Sequence, residues 1–153
     1  MKNYKKYLLL ISFFVFSFSA FAQSPAFQLS APKKSNPWKQ NELIEPAVLA
    51  SQIKSGKAPI LLNIGVAEEI LGSKNLGAAS DPQNLEKLKT ELKNTPRNTP
   101  LVIYCGCCPF EKCPNIRPAF SLLKTLGFSH IELLDLPVNL QTNWVKLGYP
   151  VKK

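Results

Sequence analysis

Residues 101–120 read "LVIYCGCCPFEKCPNIRPAF". The first four form a continuous apolar run, the pattern of a short strand buried on both faces. From Asn115 onward a capping residue precedes Ile116, Phe120, Leu123 and Leu126, one apolar face of a helix that stops at Gly127. Between strand and helix lies a loop that holds every cysteine of the chain: Cys105, Cys107, Cys108 and Cys113.

The flanking sequence repeats the alternation. Upstream, "LIEPAVLASQIKSGKAP" places Pro46 in a first helical turn, Leu49, Ala50 and Ile53 on one face, and Gly56 as a stop. "ILLN" with Ile64 reads as a buried strand, and "NLEKLKTELKN" carries Leu85, Leu88 and Leu92 at helical spacing. Downstream, "HIELL" reads as a third strand. "VNLQTNWVKLGYP" reads as a last helix with Leu140, Trp144 and Leu147 on its apolar face, ended by Gly148 and Pro150. Short buried strands alternating with helices of about three turns predict βαβ units, hence an α/β fold with a parallel sheet covered by helices on both faces.

The amino terminus is of another kind. "MKNYKKYLLLISFFVFSFSAFAQSP" sets Lys2, Lys5 and Lys6 before an apolar run and the triplet Ala20-Phe21-Ala22, the layout of a signal peptide at 1–22 cut after Ala22. The run is shorter than the roughly 20 residues that span a bilayer. The expectation is therefore a periplasmic or secreted protein with no stable membrane insertion after cleavage. Residues 23–41 mix Pro, Ser, Lys and amides without periodicity and read as a flexible arm, within which Trp38 is either docked or exposed. That leaves 42–153 as one domain with a single sizeable core. The net charge is +9, and loss of the three leader lysines lowers it by three to +6. No nucleic-acid module accompanies this charge, so it reads as a solvated basic surface.

Export favours oxidised thiols, yet structural disulfides usually join distant segments, and here all four thiols share one loop. In open α/β sheets the strand-to-helix loops at the carboxyl ends of strands carry the active site. A helix start presents free N–H groups and the positive end of the dipole, and Lys112 and Arg117 add charge. A thiolate held there becomes a nucleophile near neutral pH.

These residues together resemble the rhodanese-like domain, the single-domain sulfurtransferase family. "LVIYC" is similar to its strand ending at the catalytic cysteine, and Arg117-Pro118-Ala119 to its helix entry. "APILLNIG" resembles its earlier strand, "NLGAA" its next loop and "GYPV" its closing motif, so that the likeness spans 42–151. The pattern also departs from the family. Asn63-Ile64-Gly65 stands for Asp-Val-Arg, Lys74-Asn75-Leu76-Gly77-Ala78 for His-Ile-Pro-Gly-Ala, and Leu136-Pro137 for a glycine pair. Cys105 and Arg117 are 12 positions apart, so the extra cysteines lie in an insertion.

The resemblance implies that Cys105 takes sulfane sulfur from a donor such as thiosulfate as a persulfide and passes it to a thiol acceptor. Arg117 and Lys112 would bind the oxyanion, and no metal or other cofactor would be required. Its partners would be small sulfur-containing anions or thiols, with a redox partner protein as a further one. Three alternatives stay open for the remaining thiols. Cys108, at C-x-x-C spacing from Cys105, is the expected resolving thiol, which also suits a thiol–disulfide oxidoreductase. The set Cys105, Cys107, Cys108 and Cys113 suits a soft metal, Cu(I) or zinc. A disulfide from Cys107 or Cys108 to Cys113 would lock the loop. Asp135 falls near the carboxyl end of the last strand, where an active-edge role and a turn role are equally open. His130 reads as a surface turn, and Tyr104 and Phe110 as pocket lining or core.

Overall fold

The computed structural model describes residues 38–153; the expected signal peptide at 1–22 and residues 23–37 of the expected arm lie outside them. Three apolar runs make the centre of the sheet: β2 (Ile60–Asn63), β4 (Leu101–Tyr104) and β5 (Ile131–Leu134). All four residues of β4 are fully buried. β4 lies between the other two in parallel register, with Leu61 opposite Val102 and Leu101 opposite Ile131.

Two strands absent from the sequence expectation complete the sheet. β1 (Leu43–Ile44) runs parallel to β5, and β3 (Lys74–Asn75) parallel to β2, giving the order β1-β5-β4-β2-β3. Each is two residues long and so carries no period of its own. Pairing with the outer faces of β5 and β2 makes them strands, through contacts such as the Leu76 N–H donated to the Asn63 carbonyl at 2.9 Å.

Among the described residues four helices cover this sheet: α1 (Pro46–Lys54), α2 (Pro82–Glu91), α3 (Ile116–Thr125) and the one-turn α4 (Leu140–Asn143). Pro46 and Pro82 occupy first turns, where a missing N–H costs nothing, and the Asp81 carboxylate accepts the Gln83 N–H at 2.9 Å to cap α2. Alternation along the strands sorts the layers. Leu62, Ile64, Leu101, Ile103, Ile131 and Leu133 face α2 and α3, which bring Leu88, Ile116, Ala119, Phe120 and Leu123. Leu61, Val102, Tyr104 and Leu134 face α1 and α4, which bring Leu49, Ala50, Leu140 and Trp144. The result is a three-layer αβα sandwich. Burying each such Leu or Ile contributes about 1.5–3 kcal/mol.

The last helix differs from expectation. It ends after Asn143, and Val145–Leu147 form a separate 3-10 turn, because Trp144 leaves helical geometry at φ −133°, ψ −63°. The indole is fully buried and donates from Nε1 to the Pro150 carbonyl at 2.9 Å. Leu147, assigned to the core by spacing, is thereby turned out and 58% exposed. At the other end Trp38 packs edge-to-face on Phe120 with centroids 4.8 Å apart, and Gln40–Glu42 form a 3-10 turn, so packed structure is present by Trp38.

Candidate active site

Cys105 is the first residue beyond β4, at the carboxyl edge of the sheet, and is 1% exposed. Room for its sulfur is made by a glycine on the neighbouring strand-end. A Cβ at Gly65 would fall 2.7 Å from Cys105 Sγ and 2.4 Å from the Cys105 carbonyl oxygen. Buried Asn63 fixes this segment, its Oδ1 accepting the Gly65 N–H at 3.0 Å and its Nδ2 donating to the Ala67 carbonyl at 3.1 Å. The Asn63-Ile64-Gly65 segment is therefore part of the cysteine's own cavity.

The loop then turns back on itself. Gly106 has φ +78°, and a Cβ there would meet the Ala67 and Leu140 Cβ atoms at 2.7 and 3.0 Å. Its carbonyl accepts the Leu140 N–H at 2.9 Å, and the Phe110 N–H donates to the Leu136 carbonyl at 3.2 Å, so the loop is tied to the segment leading into α4. Phe110 is buried in the core beside a 3-10 turn, Phe110–Lys112, after which Cys113 points inward.

Because of that turn the thiols meet. Cys105 and Cys107 sulfurs are 3.2 Å apart, and the Cys107 thiol donates to Cys108 at 3.5 Å. The sulfurs of Cys105, Cys107 and Cys113 all lie within 4.8 Å of one another, a spacing at which three soft ligands can share one metal ion. All four cysteines are free thiols in this structure; Cys105 and Cys113 are buried and Cys107 exposed. Cys105 thus meets Cys107 and Cys113, while Cys108, the C-x-x-C residue, meets Cys107.

Asn115 supplies the contact that its residue type concealed. It occupies the N-cap position of α3 but makes no side-chain cap bond. Its Oδ1 instead accepts the Ser80 N–H at 2.9 Å, which turns Nδ2 toward Cys105 Sγ at 3.1 Å. The electrostatics follow. The Cys113 thiol, the Asn115 amide and the Cys107 thiol and N–H donate toward Cys105 and together outweigh burial, bringing its pKa down to about 5. Cys107 is pushed up to about 12 by desolvation and then by sharing its proton with Cys105 and Cys108. Cys113 is pushed up as well, first by its hydrogen bond to Cys105 and then by burial. The acidic thiol is thus Cys105, with Cys107 and Cys113 pushed the other way and donating to it.

The other expected residues are placed elsewhere. Arg117 is exposed with its guanidinium 5.7 Å above the Trp38 ring, and Lys112 is exposed in the loop. Among the described residues neither donates to a sulfur. Asp135 follows β5 with Oδ1 buried and without a hydrogen-bond partner, its pKa raised by burial and then by Glu45 and Glu111. Tyr104 belongs to the core, where its hydroxyl accepts the Ile70 N–H at 3.0 Å and pairs with Ser73 at 2.8 Å. His130 is exposed at the opposite, amino end of β5. A cleft of about 250 Å³ opens beside Cys107, lined by Glu68, Gly106, Asn139, Leu140 and Gln141 among others.

No family model matches this chain, and no curated protein matches it. Among solved structures it is similar to the crystal structure of the Alr3790 protein from Anabaena sp., with a TM-score of 0.52 at 17% identity, covering 71% of this chain and 90% of that one. The likeness is one of fold.

Proposed function

We propose that the chain is an exported, rhodanese-like sulfurtransferase that carries sulfane sulfur as a persulfide on Cys105. The observation that carries this reading is the single acidic thiolate at the carboxyl edge of the sheet, hydrogen-bonded by a fixed amide at 3.1 Å and flanked by protonated thiols. The Cys105 thiolate attacks the outer sulfur of a donor such as thiosulfate. The donor S–S bond breaks, sulfite leaves with the electron pair, and a persulfide remains on Cys105. An acceptor thiolate then attacks the outer sulfur of that persulfide and Cys105 departs as thiolate. A low pKa favours that departure. Exposed Lys112, in the same loop, is the cation available to the donor's oxyanion, while Arg117 lies over the Trp38 ring.

The 3.2 Å approach of Cys107 supports a resolving branch through that residue. The Cys107 sulfur bonds to Cys105 Sγ, and the outer sulfur leaves with the electron pair and the Cys107 proton as hydrogen sulfide. A dithiol reductant then reopens the resulting disulfide. We prefer Cys107 to Cys108 in this role because the Cys108 sulfur contacts Cys107.

Intact mass of the exported form before and after thiosulfate, alongside Cys105→Ser, tests the reading. A gain of one sulfur atom in the native protein and none in the variant is expected. No gain in the native protein without the two-hydrogen loss of a Cys105–Cys107 disulfide, or the same gain in both, sinks it.

A further inference from the structure

Beyond its hydrogen bond to Cys105, Cys113 takes no part in the proposed sulfur transfer. Cys113 is 2% exposed, and its sulfur lies within 4.8 Å of those of Cys105 and Cys107. We propose that Cys105, Cys107 and Cys113 form a three-coordinate Cu(I) site.

The donor set decides the metal. Three sulfurs converge with no imidazole or carboxylate among them, and the one histidine of the chain, His130, lies at the other end of the sheet. Zinc in a closed site takes four ligands in a tetrahedron. Cys108 does not belong to the converging set, and its sulfur contacts Cys107 at 3.5 Å. A soft monovalent ion content with three sulfurs fits this set better. The three are also carried by a loop that is fixed before any ion arrives. Gly106 is wedged against Ala67 and Leu140, Phe110 is buried, and the Asn115 amide holds the Cys105 sulfur from the protein side. Exposed Cys107 is the ligand at which an incoming ion first meets the cluster. Copper and a persulfide both require the Cys105 sulfur, so occupancy by one excludes the other.

The test is an anaerobic titration of the reduced exported form against the Cu(I)–bicinchoninate complex, with X-ray absorption on the product. One copper per chain in an all-sulfur, three-coordinate environment is expected. Cys107→Ser and Cys113→Ser should each weaken binding by at least about 100-fold, since losing even a residue that only orients a ligand costs about 10- to 100-fold. Cys108→Ser should bind as the native protein does. Cys107 is exposed, so its variant remains informative if the buried Cys113 variant fails to fold. Failure of the native protein to withdraw copper from bicinchoninate overturns the site, as does a Cys108→Ser loss equal to that of Cys107→Ser. Copper uptake without sulfur uptake from thiosulfate leaves this site standing and removes the sulfurtransferase; the converse pair of results does the reverse.

Discussion

Asn115 and Gly65 act on the same sulfur from opposite sides, one by supplying a hydrogen bond and the other by withholding a side chain. The amide donates to a thiolate, a contact with a charged group worth about 1.5–3 kcal/mol, or one to two pH units in acidity. Asn115→Ala should therefore shift the pH midpoint of Cys105 alkylation by iodoacetamide upward from about 5 by roughly one unit or more. An unmoved midpoint would show that the thiols alone set the acidity. Gly65→Ala places a methyl 2.4 Å from a backbone oxygen, where no side chain can yield. It should slow sulfur loading as well as lower stability. The shifts also fix how stability depends on pH. Between about 5 and the ordinary thiol range Cys105 is ionised when folded and protonated when unfolded, so stability rises with pH there and is lost as pH falls through 5. Cys107 and Cys113 are raised, so above that range the unfolded chain loses protons that the folded one keeps, and stability falls. Urea midpoints of the reduced protein should peak near the ordinary thiol pKa, and Cys105→Ser should flatten the acid limb. A midpoint that declines steadily from pH 6 to 9 contradicts this sign.

Among the elements, those legible in the sequence were those with enough residues to show a period. Four consecutive apolar residues in β4 and the stripe Ile116, Phe120, Leu123 in α3 announced strand and helix, and both lie where the pattern put them. β1 and β3 were not legible, because a two-residue strand is defined by its neighbour's unpaired groups and not by its own side chains. The break after α4 was hidden for a related reason: its cause is the indole of Trp144 reaching Pro150. The same division holds in the site. That four thiols follow a buried strand was readable. Which of them meet depends on the left-handed turn at Gly106, and the amide that meets Cys105 is set by Ser80, 35 positions from Asn115. Two glycines separate backbone strain from packing at such junctions. Gly106→Ala should lose about 1–2 kcal/mol to left-handed backbone and about 1–3 more to crowding against Ala67 and Leu140. Gly127→Ala has φ +87° with open space around it and should lose only the first part. Equal losses in urea denaturation would mean that the Gly106 turn is not wedged.

At the scale of the whole molecule the sulfur cluster sits where three separate segments close on the carboxyl edge of the sheet: the turn after β2, the loop after β4 and the residues entering α4. α3 is common to the core and the site, since Asn115 precedes its first turn and Phe120 lies one turn further on. Trp38 is fastened to that same stretch, edge-on to Phe120 and beneath the Arg117 guanidinium. Two kinds of coupling are then conceivable between the amino-terminal segment and the sulfur, and they differ in what they move. If Trp38 only covers the helix, Trp38→Ala removes packing worth about 2 kcal/mol, lowers Tm by several degrees, and leaves the alkylation midpoint of Cys105 in place. If Trp38 positions the helix entry, the Asn115 amide shifts with it and the midpoint rises as in Asn115→Ala. Asn115 is tied to Ser80 at 2.9 Å independently of Trp38, which favours the first outcome. A freed Arg117 adds a second readout: with its ring partner gone the guanidinium can turn to the donor's oxyanion, and KM for thiosulfate should fall while the midpoint holds. A midpoint that moves together with Tm would instead place the amino-terminal segment in control of the thiolate.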